Sequence, residues 1–143
     1  AALPAAPGSP MPPVKTMLAV LLALSVAGCS SLPGNKRERA LEGTLSDYQS
    51  AMRWGYWSAL FGMRGDKAPP VPEDLNLDNV RITGYELRQP PVATREDLVL
   101  QVVEIQYVLT DQQRVRKVFD KQEWRYDEEN TQWRLFSPFP DLR

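Results

Sequence analysis

Pro69, Pro70 and Pro72 stand within four positions of one another, and no regular helix or central strand can run through them. They lie in Asp66–Asn76, a connector that separates two stretches of different periodicity. Upstream, Leu41, Leu45, Tyr48 and Met52 recur at steps of four, three and four, which is one face of a helix. Downstream, apolar residues alternate or run together in short segments bounded by polar turns, the pattern of strands. A helical half followed by a strand-rich half predicts an α+β layer packing.

The helical half offers two starting points. Thr44-Leu45-Ser46-Asp47 has capping-box spacing, with Asp where Glu or Gln is usual, and KRERALEG just upstream is also compatible with a helix. Gly55 interrupts the pattern. Tyr56–Met63 then reads as a second short helix or a continuation, closed by Gly62 and Gly65.

Four strands are expected after the connector. Val80–Gln89 changes phase at Gly84, which suggests a bulge. Gln89–Glu96 reads as a loop because of Pro90 and Pro91. Leu98–Leu109 is the strongest strand. Arg114–Tyr126 is long, with Val115 and Phe119 on one parity and Val118, Trp124 and Tyr126 on the other, and its length predicts a strong bend. Thr131–Phe136 is a short last strand. The turns Thr110–Gln113 and Asp127–Asn130 are short enough to make the strands an antiparallel meander. A bent sheet wrapped around helices would form a cone.

Composition removes whole classes of chemistry. The chain has no histidine and a single cysteine, Cys29. Zinc, haem and most transition-metal sites draw on those ligands. Catalysis by Ser-His-Asp or Cys-His needs them as well. No cofactor or metal is therefore expected, and any enzyme would have to work with carboxylates, Tyr, Lys or Arg. Basic and acidic side chains number 17 and 18 and are mixed along the chain, so no basic stripe for nucleic acid exists.

The cysteine follows Met17–Ala27, an apolar run interrupted only by Ser25, and Lys15 is the only charge in the first 28 residues. A basic residue, a short apolar run and small residues at the end make a secretory signal, and the run is too short for a membrane span. Val26-Ala27-Gly28-Cys29 resembles a bacterial lipobox. The resemblance implies cleavage between Gly28 and Cys29 and acylation of Cys29, a membrane anchor of more than the two acyl chains that stable attachment needs. Residues 1–10 read as an extension upstream of a start at Met11. Ser30 and Ser31 follow the cysteine with no Asp, which by the enterobacterial sorting rule implies the outer membrane, with the domain in the periplasm. The expected organisation is 1–28 extension and signal, 29–36 lipidated cysteine and tether, and 37–143 one α+β domain.

Tyr48-Gln49-Ser50-Ala51-Met52-Arg53-Trp54-Gly55, Gln122-Glu123-Trp124-Arg125-Tyr126 and Trp133-Arg134-Leu135 resemble small proteobacterial envelope lipoproteins of the NTF2-like (cystatin-like) type, over roughly Leu41–Pro140. That resemblance implies a helix or helix pair packed on a curved four-stranded antiparallel sheet. In that superfamily the cone holds a catalytic pocket, holds a ligand or is filled by side chains. A looser likeness links the chain to the small helix-helix-sheet lipoprotein of outer-membrane β-barrel assembly, although that family's glycine-valine-leucine-glycine-proline helix pattern is missing.

Two sharper readings compete with bland ones. Trp54, Trp57, Tyr107 and Trp124 could line a pocket or a binding face; large aromatics equally build the core of a small domain. Asp120, Glu123 or Glu104, paired with Tyr107, could serve as a general base as in ketosteroid-isomerase-like members; strand carboxylates are more often solvated or paired with neighbours such as Arg114, Arg116 and Lys117. Lys36-Arg37-Glu38-Arg39 could touch anionic headgroups but reads better as a solvated helix start. The expectation is a lipid-anchored, non-catalytic domain that binds an envelope protein, with a ligand-binding or catalytic cone as the alternative.

Overall fold

In the computed structural model, helix α1 (Pro33–Trp54) leads into a short helix α2 (Trp57–Gly62). A 3-10 turn at Leu77–Asn79 then opens a four-stranded sheet: β1 (Val80–Arg95), β2 (Leu98–Leu109), β3 (Val115–Asp127) and β4 (Gln132–Leu135). The structure describes residues 3–4, 7–10 and 33–143. The expected cleavage site Gly28-Cys29 and the apolar run before it lie outside the described residues. Residues Lys36–Arg143 form one compact unit.

The sheet is an open antiparallel meander in the order β1-β2-β3-β4. Its inner face is set by strand alternation. Val99, Gln101, Val103, Ile105, Tyr107 and Leu109 are the buried residues on one parity of β2. Asp120, Gln122 and Trp124 lie opposite them on β3. The other parity of β3, Val115, Lys117, Phe119 and Lys121, faces water, as antiparallel sheets commonly allow on one side. The helical periodicity emerges as expected: Tyr48, Ala51 and Met52 are buried in the same core as Leu60, Trp124, Trp133 and Leu135. Tyr48 meets Trp124 edge-on, with ring centroids 5.3 Å apart.

Several expectations need correcting. The helix does not start at Thr44, whose hydroxyl instead donates to the Ala40 carbonyl one turn back. It starts at Pro33, within the stretch read as tether, where a proline costs nothing because the first helical N–H groups have no partner. Gln89–Glu96 is not a loop: β1 continues to Arg95, with Val92 opposite Leu100 and Ala93 opposite Val99. Pro90 and Pro91 are accommodated because β1 is an edge strand that shifts register on both sides of them. The register shifts all fall in β1, between Ile82 and Gly84 and again past Leu87. β3, expected to carry the bend, pairs with β2 without a shift from Leu98–Arg125 to Val108–Val115. The Gly84 bulge itself is where the phase change placed it.

α1 ends in a motif that the sequence marks with one glycine. Gly55 has φ +68°, its N–H donates to the Met52 carbonyl (3.2 Å), and the Tyr56 N–H donates to the Ala51 carbonyl (2.8 Å). This is the paired bonding of a Schellman cap, which consumes two otherwise unpaired helix carbonyls. The segment after β4, unassigned from sequence beyond a closing turn, returns to the core. Phe139 and Leu142 are buried, and Phe139 packs edge-on against Trp57 and Phe61.

Candidate functional site

The cap at Gly55 leaves Arg53 and Trp54 at the mouth of a trough between α1 and β1. Arg53 donates through Nη1 to the Ile82 carbonyl (3.1 Å), tying the end of the helix to β1 where its register first shifts. Trp54 is 71% exposed, and Tyr56 beside it is also exposed. Three open cavities adjoin here. One of about 520 Å³ is bounded by Arg53, Trp54, Val80, Arg81, Ile82 and Thr83. One of about 490 Å³ shares Arg53 and Trp54 and adds Ser46, Ser50 and Gly84. The third, about 200 Å³, continues past Gln49 and Tyr85 to Leu45, Leu87 and Pro91.

Beneath the trough lies a buried polar cluster that sequence reasoning missed. Gln122 is its hub. Its Nε2 donates to Asp120 Oδ2 (2.8 Å) and to the Tyr85 hydroxyl (3.0 Å). Its Oε1 accepts from Gln101 Nε2 (2.6 Å) and from Trp124 Nε1 (3.0 Å). Desolvation dominates the electrostatics. Burial pushes the Asp120 carboxyl up to about 6, against the opposing pull of the Gln122 hydrogen bond and the Arg64 guanidinium. Burial likewise raises the Tyr48 and Tyr85 phenols, with the Asp120 charge adding to both. Among the described residues, Tyr48 Oη and Arg64 Nη1 are buried without a hydrogen-bond partner. The available signal was parity: Asp120 and Gln122 share the phase of Trp124, so a buried Trp124 carries them inward.

The sequence-derived candidates are scattered rather than assembled. Trp124 is 0% exposed and belongs to the core. Trp57 is half-buried against Phe139. Tyr107 is buried, and its hydroxyl donates to the Arg143 carbonyl (2.8 Å), so it pairs with none of the three carboxylates. Only Trp54 reaches the trough. Of those carboxylates, Glu123 binds Arg125 on the outer face, and Glu104 is held there by Lys117 (3.1 Å) and Arg88 (3.0 Å). The Lys117 hydrogen bond, helped by Gln106 and Arg88, keeps Glu104 below the usual carboxylate range. Asp120 alone points inward. Neither Arg114 nor Arg116 joins an ion pair among the described residues, and Arg116 instead donates to the Arg143 carbonyl (3.0 Å).

Arg37, in the basic run, is latched to the β3–β4 corner. Its guanidinium pairs with Glu128 and sits 4.6 Å above the Tyr126 ring, while its carbonyl accepts from Trp133 Nε1 (3.0 Å). Among the described residues, no group of three or more potential metal ligands converges, and no helix is long and apolar enough to cross a membrane. Compared by sequence with models of known protein families and with characterised proteins, the chain matches none.

Proposed function

We propose that this chain is a bacterial envelope lipoprotein, anchored in the outer membrane through acylated Cys29. Its α+β domain faces the periplasm and acts without catalysis, by binding another envelope protein. The observation that carries the binding role is where side chains fill space and where they leave it. The inner face of the sheet is occupied by Trp124, Tyr48, Met52, Leu60 and Leu135. Among the described residues, open volume instead lies outside, along α1 and β1, beside the exposed rings of Trp54 and Tyr56. A surface trough flanked by aromatics suits a protein partner, since aromatic and arginine anchors carry much of the binding energy at interfaces. The helix laid across a four-stranded meander is also compatible with a filled cone of NTF2-like type.

Anchor and binding role are tested separately. Cys29→Ser should abolish incorporation of labelled palmitate and release the protein from membranes; continued labelling and membrane retention would refute the anchor. For the binding role, a photocrosslinking amino acid is placed at Trp54 or Tyr56 in cells. It should yield a discrete protein adduct that disappears when the neighbouring Arg81 is changed to Glu. Absence of any adduct from these and from outer-face positions such as Phe119 would refute protein binding.

A further inference from the structure

The trough has a polarity along its length that specifies what enters it. At the end nearest Gly55, Arg53 and Arg81 are the charged residues bordering the cavity of about 520 Å³, and neither forms an ion pair among the described residues. At the far end, Leu45, Leu87 and Pro91 border a cavity of about 200 Å³. Ligand pockets for small molecules usually run from about 300 to 1,000 Å³, so this end suits one large side chain better than a free metabolite. From Leu45 to Trp54 the helix rises about 14 Å. An extended chain covers that distance in about four residues.

Strand addition to β1 is the obvious competitor, because β1 is an edge. It is disfavoured here by the strand itself. Beyond Leu87, β1 shifts register three times and carries Pro90 and Pro91, devices that blunt an edge against pairing. Recognition therefore falls to side chains in the trough rather than to a backbone ladder.

Resting on the proposed role as a protein-binding module, we infer that the α1–β1 trough takes an extended segment of the partner. An acidic residue of that segment seats against Arg53 and Arg81, and a large apolar residue about four positions away fills the cavity at Leu45, Leu87 and Pro91. Trp54, exposed beside Arg53, covers the backbone next to the acidic residue. Arg53 also offsets the partial negative charge of the helix C-terminus, so of the two it is Arg81 whose charge has no other partner among the described residues.

The test uses the full chain in detergent and ten-residue Gly/Ser peptides. One peptide carries Glu and Leu four positions apart, a second carries Lys in place of Glu, and a third carries Ser in place of Leu. Amide and indole NMR shifts report where each binds. The Glu/Leu peptide should shift Trp54 and leave Trp124 unmoved, and should bind at least tenfold more tightly than either control. Arg81→Glu, which breaks no hydrogen bond seen in the fold, should weaken it about tenfold and favour the Lys peptide. An unchanged melting midpoint for that variant secures the comparison. Equal binding of all three peptides overturns the inference, as does no shift at millimolar peptide, or shifts confined to the outer face around Phe119. A dimer of the full chain that Trp54→Ala dissociates also overturns it, by assigning the trough to a second copy. Photocrosslinks to a partner from Phe119 but never from Trp54 would sink the trough while leaving partner binding intact. Peptide binding with no crosslink from any surface would do the reverse.

Discussion

Asp120 places an ionisable carboxyl inside the core. It is 3% exposed, and its carboxyl is shifted from 3.8 to about 6. A carboxyl with a raised folded-state pKa favours the protonated fold. Its stabilising contribution is fully present below pH 3.8 and is lost as pH rises through about 6. The shift corresponds to roughly 3 kcal/mol. Asn at this position keeps an oxygen to accept from Gln122 and carries no charge. Asp120→Asn should therefore match the parent near pH 4 and exceed it by up to about 3 kcal/mol at pH 7.5 in urea unfolding. A constant difference between the two pH values would show that the carboxyl is not titrating in the fold. Trp124, four residues further along the same strand and on the same face, behaves oppositely. It is closed in by Tyr48 and spends its indole N–H on Gln122. Trp124→Ala should cost about 3–5 kcal/mol, the usual range for emptying such a site. A melting midpoint moved by less than a degree or two would place the ring outside the core.

At the scale of elements, the cap of α1 makes the sharpest prediction. A Cβ on Gly55 would meet the Trp57 ring at 3.6 Å, an ordinary contact, so sterics between side chains do not forbid a substitution. The backbone does, because φ of +68° is left-handed. Gly55→Ala should destabilise by about 1–2 kcal/mol, the cost of that conformation for a residue with a Cβ. Tyr56 and Trp54 should also lose their fixed setting, visible as a broadened Trp54 indole resonance at temperatures well below the melt.

The same elements show what the chain's local patterns disclose. Helix periodicity located Tyr48 and Met52, and the phase change at Gly84 located a bulge, because both depend on neighbours in sequence. The continuation of β1 through Pro90 and Pro91 depends on its being an edge, a property of the sheet rather than of the segment. The amide hub at Gln122 was overlooked for a related reason. A polar residue within a strand reads as solvent-facing until the burial of its i+2 neighbour fixes its side. The trough was invisible from sequence because it needs α1 and β1 side by side, and only Trp54 among the proposed aromatics belongs to it. The proposed lipid site at Cys29 rests on the lipobox pattern alone.

For the domain as a whole, the question is where independent folding begins. Every long periodic segment lies after Leu41, which would place the start of a self-sufficient domain there. The latch at Arg37 argues for an earlier start. Arg37 supplies an ion pair to Glu128, a cation over the Tyr126 ring and a carbonyl for Trp133, joining the first turns of α1 to the far edge of the sheet. Tyr126 and Trp133 face each other edge-on at 5.3 Å, so loosening Arg37 also uncovers a packed aromatic pair. An exposed ion pair alone contributes about 0–1 kcal/mol, but the indole hydrogen bond and the cation–π contact each add about another 1. A protein spanning residues 33–143 should unfold in one cooperative transition. One spanning residues 41–143 should fold with the same topology but be about 2–3 kcal/mol less stable, with a fluorescence change on truncation that reports exposure of Trp133. Equal midpoints for the two would show that the latch contributes nothing. A broad, non-cooperative melt of the longer protein would show that the domain needs a partner to fold.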